Sequence, residues 1–160
     1  MPSTDLITCL WFNGNGEEAA EFYTSVFKDS SIGRINRFTA TGPGPEGSVA
    51  SVEFTLNGQD FIALNGGPAF TFSGAISFQV PCADQAEVDY YYDALAEGGE
   101  EGPGGWLKDK YGVSWQVFPA VLPDMLNAPD REKAARAAKV MMGTRGKMDV
   151  AALHRAFDGD

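Results

Sequence analysis

The chain has 160 residues, the size of one ordinary domain, and with 44% hydrophobic and 21% charged residues its composition excludes disorder and collagen-like repeats. Its purely apolar runs, such as residues 61–64, are too short to cross a bilayer. Twenty-two acidic against 12 basic side chains give a net charge of −10, which repels phosphate backbones and argues against nucleic acid as a partner.

The charge is uneven. Residues 1–129 carry 17 acids and 5 bases, whereas 130–160 carry 5 and 7. The C-terminal segment is therefore either a cover for an acidic body or a solvated helix of mixed charge. A chain of this length buries roughly two thirds of its unfolded surface, so it needs neither disulfide nor structural metal to form a core. Cys9 and Cys82 are far apart and no secretory signal precedes Ile7, which fits reduced thiols in a cytoplasmic protein.

In chain order, residues 7–12 read as a strand, and the turn at 13–16 leads into a helix with Ala19, Phe22, Tyr23 and Val26 at i, i+3, i+4, i+7 spacing. Strands follow at 31–41, 48–56 and 59–65, the last two joined by Asn57-Gly58, a two-residue hairpin signal. The stretch 42–47, rich in glycine and proline, is a strand connection. Residues 76–80 form another strand, Asp84 is an N-cap, and the helical stripe returns as Val88, Tyr91, Tyr92 and Leu95. Each of these four lies 69 residues beyond its counterpart, the mark of an internal repeat. Gly98-Gly99 ends the second helix, and 106–119 reads as a hairpin turning at 110–112. The interval before that hairpin is about half as long as in the first repeat, so a strand is lost or shortened there.

The expected fold is α+β: two βαβββ modules, at about 6–66 and 74–120, whose curved mixed sheets surround a cavity with helices outside. Residues 1–121 would form this single domain and 122–160 a helical C-terminal extension. That extension carries helical patterns at 130–142 and 149–157, the second with Val150, Leu153 and Phe157 on one face. So short a stripe must dock, either on its own domain or on a second subunit.

The paired modules, the helix carrying Glu21-Phe22-Tyr23 and the closing hairpin Asp109 to Gln116 resemble the vicinal oxygen chelate superfamily, which includes glyoxalase I, extradiol dioxygenases and bleomycin-resistance proteins. Within it, residues 7–12, 54–59, 63–68 and 105–109 look like the PhnB-like branch, whose members often carry the name of demethylubiquinone methyltransferase. The resemblance runs from about Ile7 to Met148 and implies a fold before it implies a chemistry.

Superfamily enzymes hold a divalent metal on four His or Glu ligands. Laid on this chain by its Phe-Tyr and hairpin landmarks, those places fall near Thr8, Ala63 or Asn65, Ala75 and Gln116. None is a His or a carboxylate, and neutral amides and hydroxyls are poor donors for Zn, Fe or Ni, so no intrinsic metal or other cofactor is expected. The only histidine, His154, lies outside both modules. The loop Gly14-Asn15-Gly16 has the composition of a connecting turn, which gives a nucleotide-type methyltransferase fold little support.

Strand alternation assigns residues to the cavity. Ser77 and Gln79 face opposite to Ile76, Phe78 and Val80. Ser51, Glu53 and Thr55 face opposite to Val52 and Phe54, and Ser114, Gln116 and Phe118 face opposite to Trp115 and Val117. The expected ligand-binding set is Thr8, Asn65, Ser77, Gln79, Trp106 and Gln116. Cys9, alternating with Thr8, would point to the helix side. Glu53 is either a general base, its pKa raised by apolar walls, or the partner of Arg34 or Arg37 on the sheet surface.

These readings point to a metal-free binding protein for a small organic ligand, as a homodimer whose C-terminal stripe finds a partner surface. The rivals are an enzyme of the superfamily, with or without metal, and a methyltransferase as the branch name implies.

Overall fold

In the computed structural model, which describes residues 4–160, the chain divides into two compact units, the first ending at Thr71 and the second spanning Phe72–Asp160. The first contains β1 (Thr8–Phe12), α1 (Gly16–Val26), β2 (Ser31–Arg37), β3 (Val49–Leu56) and β4 (Gln59–Asn65). Its sheet runs β1-β4-β3-β2, with β1 parallel to β4 and the other pairs antiparallel. Ala19, Ala20, Tyr23 and Val26 form the buried stripe of α1, and Val52, Phe54 and Leu56 are the alternating buried residues of β3 beneath it. Tyr23 stacks on Phe54 at 6.2 Å between ring centroids, and Phe54 on Phe61 at 5.2 Å. Asn57 and Gly58 both adopt positive φ, +49° and +79°, the backbone that a tight two-residue hairpin requires.

The second unit repeats the plan with β5 (Ser77–Cys82), α2 (Gln85–Ala96), β6 (Glu100–Glu101), β7 (Trp106–Lys108) and β8 (Ser114–Pro119), ordered β5-β8-β7-β6 with β5 parallel to β8. The missing length of the second repeat is taken from its strands. All four are present, with β6 cut to two residues and β7 to three. The Asp84 carboxylate accepts the Glu87 N–H at 3.0 Å as the N-cap of α2. The predicted stripe Val88, Tyr91, Tyr92 and Leu95 is buried throughout.

Beyond β8 come α3 (Leu122–Leu126), α4 (Arg131–Gly143) and α5 (Val150–Asp158), the last two capped by Asp130 and Asp149. The five-residue α3 is too short to show a period in the sequence. Phe118, Leu122, Met125, Ala137, Met148 and Leu153 form one buried cluster, against which Phe157 packs. The C-terminal stripe thus docks within its own unit. Its cationic surplus is also used there: Lys147 meets Asp93 at 2.9 Å and Asp89 at 3.4 Å on α2. No helix among the described residues is long and apolar enough to cross a membrane.

Candidate functional site

Each sheet has one face under its helix and one face turned away from it. On the first sheet the division reverses an expectation at β1. Leu10 and Phe12 are buried, so Thr8, which shares their parity, lies on the helix face, while Cys9 and Trp11 take the other. Residues 7–12 carry apolar side chains at both parities, so alternation gave no preference. The Phe-Tyr landmark fixed distance along the strand and left its face open.

Asn65 shares the helix face with buried Phe61 and Ala63. Its carboxamide oxygen accepts the Gly16 N–H at 2.8 Å and its NH2 donates to Val49 O at 3.1 Å. Asn15, the N-cap position of α1, makes no side-chain cap bond, so a residue of β4 supplies the cap from 49 positions away. A Cβ on Gly16 would sit 2.7 Å from that oxygen, which is why glycine stands there. The Gly16 N–H, the group a helix N-terminus would offer to a phosphate, is already taken.

Glu53 lies on the face away from α1, with Ser51 and Thr55. Arg34 grips it in a two-point pair, Nε to Oε2 at 2.6 Å and Nη2 to Oε1 at 3.0 Å. The hydrogen bonds from Arg34 hold the Glu53 carboxyl below the usual glutamate range, with burial a smaller opposing effect. A base poised near neutrality needs the opposite shift. Of the two readings of Glu53, the geometry gives the ion pair.

On the second sheet, Val80, Val117 and Trp115 are buried on the helix face, with Phe78 against Trp115 at 5.3 Å. Ser77, Gln79, Ser114, Gln116, Trp106 and Lys108 share the other, since the register pairs Ser77 with Ser114, Gln79 with Gln116 and Gln116 with Trp106. Gln116 Nε2 donates to Ser77 Oγ at 2.8 Å. The Gln116 carboxamide oxygen makes no hydrogen bond among the described residues. Phe118 continues this face into the extension's cluster, so the extension covers one end of it.

Where the cover meets the sheet there is a hollow of about 440 Å3. Trp106, Gln116 and Phe118 line it from the sheet, and Leu122, Met141 and Met148 from the extension. Trp106 also borders a smaller hollow of about 220 Å3 with Ser114, Lys108 and Glu101. The structure thus brings Ser77, Gln79, Trp106 and Gln116 together on one face, and leaves Thr8 and Asn65 in the other unit on a helix-covered face. Leu122, Met141 and Met148 were not anticipated. The signal for them was three methionines within eight residues of the extension, at 141, 142 and 148.

The places where superfamily enzymes hold their metal do not fit one here. Thr8 lies on the helix side, Ala63 and Ala75 have no donor atom, Asn65 is committed to the α1 cap, and Gln116 offers an amide. Among the described residues no three His, Cys, Asp or Glu side chains cluster closely enough to hold an ion. Neither thiol is activated: burial raises Cys9, and burial with Glu87 and Asp84 nearby raises Cys82 to about 11.

Two mixed four-stranded sheets of identical strand order, each with a helix on one face, define a protein of two βαβββ modules. Solved structures of the fosfomycin resistance protein FosX share this fold: that from Mesorhizobium loti at 14% identity and TM-score 0.55, covering 79% of this chain and 99% of its own, and that from Listeria monocytogenes, complexed with Mn(II) and sulfate, at 16% and 0.52, covering 79% and 98%. A PhnB protein from Bacillus cereus, bearing the 3-demethylubiquinone-9 3-methyltransferase label, is 42% identical with TM-score 0.66, covering 73% of this chain and all of its own. The sequence model of the 3-demethylubiquinone-9 3-methyltransferase family matches residues 4–118, and the chain belongs to that PhnB-like family. No curated protein matches it.

Proposed function

We propose that this protein binds a small organic molecule on the face of its second sheet turned away from α2, in the hollow between Trp106, Gln116 and the extension, without a metal of its own. The observation that carries the reading is that hollow: about 440 Å3, within the roughly 300–1,000 Å3 of small-molecule sites, mostly apolar with one hydrogen-bonding carboxamide. The family label names a methyl transfer, and in the Gly14–Gly16 turn, the glycine loop such a reading would use for an adenosyl cofactor, the Gly16 N–H is taken by Asn65. Titration with the neutral fluorophore N-phenyl-1-naphthylamine tests it. Saturable binding that is lost in Trp106→Ala supports the reading, and absence of saturable binding by the native protein counts against it.

A second copy of the chain is the proposed partner. With the C-terminal stripe satisfied internally, support comes from the first unit, where the edge strand β2 is exposed at every residue and carries Ile32 and Ile35, 38% and 42% exposed. An open apolar edge invites pairing. Two unpaired thiols fit a reducing compartment such as the cytoplasm.

A further inference from the structure

We infer that the C-terminal extension is the specificity wall of this site, and that it selects a neutral, flat, conjugated ring carrying one hydrogen-bond donor. This rests on the binding reading above and goes further by assigning the ligand class and the element that recognises it.

The extension lies beyond residue 118, where the family match ends, so a general family fold accounts for Trp106 and Gln116 but not for what faces them. It is fastened to the loop that leads into Trp106. Gly104 N–H donates to Thr144 O at 2.8 Å, Gly105 N–H to Gly146 O at 3.2 Å, and Gly146 N–H back to Gly102 O at 2.8 Å. On the other side Gln85 donates to Met148 O at 3.0 Å and accepts the Val150 N–H at 2.8 Å. The methionines at the end of α4 and before α5 are thereby held against the sheet wall in a fixed place.

The chemistry of the lining sets the ligand. It contains no ionisable side chain, so a charged group entering it would lose its hydration with no counter-charge in return. The thioethers of Met141, Met142 and Met148 line the hollow together with the Trp106 indole and the Phe118 ring. Thioethers are polarizable and make favourable contacts with aromatic rings, so a flat conjugated molecule gains from the methionines and from the Trp106 and Phe118 rings alike. One of the two Gln116 amide N–H groups is taken by Ser77, and the carbonyl oxygen, which makes no hydrogen bond among the described residues, accepts from the ligand. A donor on the ligand satisfies it, and a ligand lacking one leaves it desolvated and unpaired.

The test uses the full-length protein labelled with 13C at methionine methyl groups and titrated with N-phenyl-1-naphthylamine, a neutral aromatic molecule with one N–H. The Met141, Met142 and Met148 methyl signals are expected to move with the fluorescence titration, by ring-current shifts, while that of Met125, packed inside the extension, stays nearly still. The double variant Met141→Gln/Met142→Gln should bind about three- to tenfold more weakly, with a thermal midpoint lowered only slightly, since Met142 is 76% exposed while Met141 packs against the buried cluster of the extension. If the probe binds and Trp106→Ala abolishes binding while the methionine signals and the double variant are indifferent, the extension is only a structural cover and this inference falls alone. If the native protein does not bind the probe, the inference falls together with the reading it rests on.

Discussion

The Trp115 indole N–H donates to Asp109 Oδ2 at 2.8 Å, while Asp109 Oδ1 accepts the backbone N–H groups of Tyr111 and Val113 at 2.8 and 3.1 Å. The carboxylate is only 3% exposed. One side chain therefore closes the β7–β8 turn and ties it to the helix face of β8, and so fixes the parity that puts Gln116 on the face turned away from α2.

Asp109→Ala orphans an indole and two amide donors. It should cost about 3 kcal/mol or more, against about 1–2 for Asp109→Asn, which keeps an acceptor. Urea denaturation measures both, and equal losses would show that the carboxylate does not organise the turn.

The long-range cap on α1 makes a second prediction. Asn65→Ala should destabilise by about 1–2 kcal/mol, as for loss of a helix N-cap, with little effect on the second unit. Gly16→Ala should act in the same direction because its methyl group would displace Asn65. Amide exchange in α1 localises the effect, and protection unchanged in Asn65→Ala would refute the cap.

The Glu53–Arg34 pair has a pH signature. The folded-state pKa of Glu53 is depressed, so the pair's contribution is complete above the unfolded glutamate's pKa and is lost as pH falls through the folded one. Carboxyl-carbon NMR should show Glu53 titrating below the ordinary range in the native protein and returning toward it in Arg34→Ala. Titration above that range would restore Glu53 as a candidate base.

Gln85 bridges α2 to the segment between α4 and α5 through both ends of its carboxamide. Gln85→Ala should raise amide exchange at residues 150–153 by about fivefold or more, from the loss of roughly 1 kcal/mol per hydrogen bond. Exchange that rises equally along α1 instead would point to global destabilisation.

For the proposed dimer, light scattering at micromolar concentration should give twice the chain mass, and Ile35→Lys should shift it toward the monomer by charging the open edge. A monomeric native protein would remove the second copy as partner.

By itself the sequence determined the repeat, and with it the fold. The 69-residue offset links two stripes, the second buried throughout and the first at Ala19, Tyr23 and Val26 with Phe22 only partly buried, and Asn57-Gly58 places its hairpin without shift. These are local properties, set by a 3.6-residue period and by which residues tolerate positive φ. The face of a strand was equally legible where polar and apolar residues alternate, as at Ser77–Cys82. It was not legible at Thr8–Phe12, where both parities are apolar and only the helix laid over the sheet chooses between them. Partnerships across the chain were also beyond the sequence. Arg34 meets Glu53 through strand register, Asn65 reaches Gly16 because β4 ends beside the start of α1, and Met148 meets Phe118 because the extension folds back along its own sheet. Each joins residues at least 19 positions apart, and no residue period or turn chemistry spans such distances. Packing of whole elements decides them.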